Sequence, residues 1–148
     1  MLIQTTPLPD SEIQRRIQVA LSWDLSKPKE FLVLRQEMNP NFVDRMEKEY
    51  RRYIACVATN PSDKLPISNA VDELWHAHIL FTKDYAKMSK ALKGAYIDHI
   101  PTLSEEERAA LEPFYFDVTL ERYRQVFKED PPQEFWPSES GSICWSCT

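Results

Sequence analysis

Residues 68–92 read SNAVDELWHAHILFTKDYAKMSKAL. Ser68 or Asn69 offers a side-chain cap at the start. Val71, Leu74, Trp75 and His78 then recur at spacings of three and four, and Tyr85 continues that face, so the stripe has a helical period. Gly94 follows where a left-handed residue closes a helix. The spacing predicts one long helix, the fourth of the chain, running to about Leu92.

Working outward, the same logic predicts helices on both sides. Asp10 or Ser11 caps a first helix from Asp10 to Ser22, with Ile13, Ile17 and Ala20/Leu21 on one face. Pro28-Lys29-Glu30 opens a second segment whose type stays open, with Phe31, Leu32 and Leu34 apolar. Asn39 caps a third helix that begins at Pro40 and carries Phe42, Met46, Tyr50, Tyr53/Ile54 and Val57 as its stripe. Tyr96 to Ile100 reads as a short extended piece stopped by Pro101, which pushes Ile100 out of the α region. Ser104 and Glu107 form a capping box for a fifth helix, ended or kinked at Pro113, and Phe116 to Phe127 holds a sixth. Only two glycines occur, which argues against many tight hairpins. The expected fold is therefore all-α: a single compact multi-helix domain over residues 1–137 with one short extended segment, followed by a flexible polar tail, 138–148.

A chain of 148 residues can bury a core without disulfides or metal, and 43% apolar and 11% aromatic residues supply one. The net charge of −5, with both signs interspersed, gives no basic field for nucleic acid. No run approaches the roughly 20 apolar residues of a membrane span. MLIQTTPLPDSE lacks the basic and apolar regions of a secretory signal, so a cytoplasmic, reduced setting is expected.

All three histidines, His76, His78 and His99, fall within 24 residues. Imidazole is the commonest metal ligand and the proton carrier nearest neutral pH. On a helix His76 and His78 lie roughly 200° apart, so they do not chelate one ion. Asp72 and His76, four apart, share a face. Asp72 can orient that imidazole or share a metal with it, and His99 can complete the site from the following segment. His78 falls on the apolar face near Tyr85, as a buried histidine with one hydrogen-bond partner. Four readings stay open: histidines that only organise the turn, a metal site of His76 and His99 with Asp72 or Glu73, metal-free acid–base chemistry, and ligand binding without chemistry.

Cys144-Trp145-Ser146-Cys147 has the C-x-x-C spacing used by redox and zinc sites. No helix follows it as in a thioredoxin-like motif, and a zinc site would need a second ligand pair, from another chain or from the histidines if the tail folds back. Two free thiols in a mobile tail, with Trp145 as a docking anchor, is the alternative. Cys56 sits beside the third helix's stripe and belongs to the core.

Val71 to Leu80, then Tyr85, Gly94, Tyr96 and His99-Ile100-Pro101, with Tyr115 to Phe127, Pro131-Pro132 and Trp136-Pro137 further on, resembles the glycine-rich domain-containing protein family over roughly residues 40–137. The resemblance implies a helical domain of poorly known function. The family's glycine-rich part, and any RNA role attached to it, does not carry over to a chain with two glycines. The leading expectation is a small cytoplasmic interaction or ligand-binding module that folds without metal and engages another protein or a small ligand. Its candidate binding residues are Asp72, Trp75, His76, His78, Tyr96 and His99. The second expectation is a metal-dependent enzyme or metal-binding protein, holding a transition metal such as zinc through His76, His99 and Asp72. The third is a redox or metal-relay role for Cys144 and Cys147.

Overall fold

Asn39 accepts hydrogen bonds from the backbone N–H groups of Asn41 and Phe42, at 2.9 and 3.2 Å, and Pro40 takes the first helical position. Cap and pre-set φ therefore coincide, and the longest helix starts there. A computed structural model describes residues 7–61 and 65–138. Its elements are helical: α1 (Asp10–Ser22), α2 (Ser26–Leu34), α3 (Pro40–Thr59), α4 (Asn69–Leu80), α5 (Thr82–Lys93), α6 (Glu105–Phe114), a π turn (Tyr115–Thr119) and α7 (Leu120–Phe127). The all-α expectation holds. Among the described residues no helix is long and apolar enough to cross a membrane. Residues 139–148, with the expected tail thiols Cys144 and Cys147, lie outside the described residues.

α3 is the centre, with α1, α2, α4 and α7 packed around it. Its buried set includes Val43, Met46, Tyr50, Tyr53, Ile54, Ala55, Cys56 and Ala58, wider than one stripe because neighbours cover several sides. Phe42 and Val57, expected in that stripe, are only partly buried. Burial pushes the Cys56 thiol up to about 12, so it stays protonated and inert. Glu49, also buried, accepts hydrogen bonds from the Tyr123 hydroxyl at 2.7 Å and Trp136 Nε1 at 3.0 Å. These bonds satisfy a buried carboxylate and pin the segment after α7 to the core.

One helix boundary differs from expectation. The predicted helix from Ser68 to Leu92 is two helices, broken at Phe81 (φ −88°, ψ 70°). No glycine or proline marks the break; its local trace is Asp84 in the first turn of α5. At Pro113 the α-helix ends within one residue, close to expectation, but the chain stays helical. Pro113 lies inside α6, and the wider π turn follows it before α7 begins. A proline offers no N–H to the carbonyl four residues earlier, and a π turn is one way a helix absorbs that loss. The second segment, left open from sequence, is helix α2, and the first helix is entered from Pro9 without a side-chain cap. Ser104 and Glu107 behave as a capping box, although Glu107 reaches back to the N–H of Leu103.

The break at Phe81 lets α5 present Tyr85 to the segment beyond Gly94. Gly94, at φ 74°, closes α5 in the left-handed region. Trp75 Nε1 donates to the Tyr85 hydroxyl at 2.9 Å, and that hydroxyl donates to the Ile97 carbonyl at 2.6 Å. One buried oxygen thus ties α4, α5 and the 95–100 segment together. Tyr85→Phe leaves an indole N–H and a carbonyl without partners inside the core. It should cost roughly 1–3 kcal/mol in chemical denaturation. A loss within the scatter of an exposed substitution would show that the hydroxyl holds nothing in place.

Candidate metal centre

Asp72 occupies the first turn of α4 and is only 3% exposed. A buried carboxylate is costly unless hydrogen-bonded or charge-paired. Helical spacing brings His76 one turn further along, with its Nε2 3.0 Å from Asp72 Oδ2. The segment fixed by Tyr85 brings His99 to the other side, with its Nε2 2.7 Å from Asp72 Oδ1. One ligand atom from each of Asp72, His76 and His99 lies within 4.8 Å of the others. Two donors each about 2.0–2.2 Å from a tetrahedral zinc ion stand roughly 3.3 Å apart, so an ion would open the two imidazole–carboxylate contacts, which now engage different oxygens of Asp72.

The surroundings are asymmetric. The Trp75 ring lies 3.9 Å from the His99 ring, centroid to centroid, and covers it. The His76 ring stands 4.7 Å from the His99 ring, and its side chain is 48% exposed. Asp72 and His99 are therefore enclosed, while His76 faces solvent. The hydrogen bond that His76 donates to the Asp72 carboxylate raises the pKa of His76 above its ordinary value, outweighing partial burial.

The remaining expected residues separate. His78 points to the opposite side of α4 from His76, as the 200° argument requires, and is fully buried. Its Nδ1 meets the Tyr50 hydroxyl at 2.8 Å and its Nε2 meets Asp84 Oδ2 at 2.7 Å. It has two partners rather than the one expected. Burial is the larger influence on it and lowers its pKa. Asp84, which also accepts from Trp23 Nε1 at 3.0 Å, was invisible in the sequence. It stands six residues after His78, a spacing that meets only because the helix breaks between them. Tyr96 packs its ring 5.2 Å from that of Tyr85 and is half exposed, beside the cluster rather than hydrogen-bonded within it.

The chain belongs to the UCP032817-like family, whose model matches residues 15–112 and so reaches into α6 and includes all three candidate ligands. This corrects the expected glycine-rich domain-containing family, which nothing here indicates. That expectation rested on scattered positions between Val71 and Pro137, many of them the apolar and aromatic residues that any buried helical face requires, which do not separate one helical family from another. No curated protein and no solved structure matches the chain.

The two pKa shifts act on opposite sides of pH 6.5, the ordinary histidine value. For His78 the unfolded chain takes up a proton that the fold refuses, so stability falls as pH drops below 6.5. For His76 the fold retains a proton that the unfolded chain releases, so its contribution is lost as pH rises from 6.5 through the raised value. Thermal unfolding of metal-free protein should show both limbs, and His76→Ala should flatten the alkaline one alone. A variant that loses the acid limb instead would reverse the assignment.

Proposed function

We propose that this is a zinc-binding domain, with Asp72, His76 and His99 as its three protein ligands and a fourth position accessible beside His76. The observation that carries this reading is the convergence of two imidazole Nε2 atoms, from separate segments, on one buried carboxylate. Imidazole and carboxylate suit a borderline divalent ion. The same donors also fit octahedral ferrous sites, which need three open positions on one face. Here the Trp75 ring closes the His99 side and only the His76 side faces water, which favours a four-coordinate ion. Tyr85 and Trp75 act as positioning residues, because their hydrogen bonds fix the segment that carries His99.

The reading as an interaction module is supported by one separate observation. Tyr96, Ile100 and Leu103, exposed by 53, 55 and 84%, line the segment that carries His99. An apolar surface of this kind suits a protein partner. In that case metal would be dispensable.

Elemental analysis of untagged protein, purified without chelator, separates the two. The zinc reading expects close to one equivalent of zinc, and His76→Ala should weaken zinc binding by more than about 100-fold while circular dichroism stays unchanged. His76 suits this test because its half-exposed side chain can be removed without opening the core. Protein that stays below about a tenth of an equivalent after zinc loading and desalting would exclude the site.

A further inference from the structure

We infer that the cavity between the α1–α2 turn and the break at Phe81 binds a small zwitterion of the amino-acid class, its ammonium on Asp84 and Asp24 and its carboxylate on Lys27 and Lys83. Asp84 is held through His78, on the side of α4 opposite His76, so this site stands apart from the zinc reading.

The first argument is the space. A cavity of about 490 Å³ opens where α2 and α5 begin, and small-molecule sites span roughly 300–1,000 Å³. Pro28, Leu80 and Phe81 give it apolar walls, and Leu80 is 62% exposed there. Phe81 packs edge-on against Phe31 of α2, with ring centroids 6.5 Å apart, so the two sides are braced against each other.

The second argument is Asp84, which is held more firmly than a surface carboxylate needs. Its side chain is 43% exposed, and water alone would solvate it. Yet Oδ2 accepts from Trp23 Nε1 at 3.0 Å and meets His78 Nε2 at 2.7 Å. A carboxylate only accepts, so Nε2 is the donor. His78 is fully buried, and the Tyr50 hydroxyl holds its Nδ1 at 2.8 Å. Side chains from three segments thus fix one oxygen, while Oδ1 has no partner among the described residues. A carboxylate anchored in this way at a cavity wall is pre-organised to accept from an ammonium group.

The third argument is charge. Asp24 and Asp84 are matched in number by Lys27 and Lys83, so the lining carries no net charge. Neither lysine is ion-paired among the described residues. Each is the second residue of its helix, where the positive end of the helix adds to its field. An anion alone would face two carboxylates, and a cation alone two ammonium groups. An apolar molecule would desolvate all four. A zwitterion meets both signs, and an apolar side chain on it covers Pro28 and Phe81.

NMR titration of the isotope-labelled full chain with L-leucine and L-phenylalanine tests this directly. The Trp23 indole N–H reports on Asp84, and the amides of Lys27 and Lys83 report on the other half of the cavity. At least one of the two amino acids should shift all three signals and half-saturate below about 1 mM. Its analogue without the carboxylate (isopentylamine or phenethylamine) and its analogue without the ammonium (4-methylpentanoate or 3-phenylpropanoate) should each bind at least about tenfold more weakly. The double variant Lys27→Gln/Lys83→Gln alters two exposed side chains, so it should keep the parent Tm while its affinity for the amino acid falls to that of the amine. Half-saturation above about 1 mM for both amino acids would overturn the inference. An analogue that binds as tightly as its parent amino acid would also overturn it, by making the cavity a simple anion or cation site. So would undiminished affinity in the lysine variant, or saturable shifts at Tyr96 and His99 with none at Trp23. None of these outcomes bears on zinc.

Discussion

The arrangement turns on a carboxylate taken out of water. Asp72 is nearly fully enclosed, and a lone buried anion is one of the most expensive groups a small domain can carry. The fold answers it with two imidazoles from two directions, one along α4 and one from the segment after α5. Removing His99, the enclosed partner, would take a donor from the carboxylate on its buried side. The carboxylate and the path of the 95–100 segment are thus mutually dependent, and a divalent ion between the three groups would offset the same penalty more completely.

The rest of the bundle serves that meeting point. α3 supplies Tyr53 behind Trp75, and Trp75 in turn covers His99. The interruption at Phe81 allows α5 to turn, so that Tyr85 reaches Ile97 and Asp84 reaches His78. The two faces of α4 thereby hold two histidines of opposite character. His78 is enclosed and pushed toward the neutral form, whereas His76 is at the surface and pushed toward the charged form. Similar side chains two residues apart acquire different chemistry from helical geometry alone.

Much of this was legible in the sequence, where the signal is local. Asn39-Pro40, Ser68 and the Ser104–Glu107 pair mark helix starts because capping is decided within four residues. The Asp72–His76 pairing and the opposition of His78 follow from 3.6 residues per turn. The contact of His99 with Asp72, 27 residues apart, was legible only as a possibility. It depends on the tertiary bond from Tyr85 to Ile97, which leaves no periodic trace. The break at Phe81 was missed because neither glycine nor proline signals it, and Asp84 was missed with it. The family was misread because the positions that carried the resemblance, from Val71 to Pro137, are largely residue types shared by many half-buried helices, whereas the match that identifies the UCP032817-like family extends from residue 15 to residue 112.

Zinc-edge X-ray absorption of the zinc-loaded protein tests the central claim most directly, since it reads the ligands rather than their consequences. The account predicts a first shell of nitrogen and oxygen near about 2.0–2.1 Å with the outer-shell scattering of two imidazoles. In Asp72→Asn or His76→Ala that pattern should be lost or reduced to one imidazole. A spectrum without imidazole scattering, or one that both substitutions leave unchanged, would contradict the account.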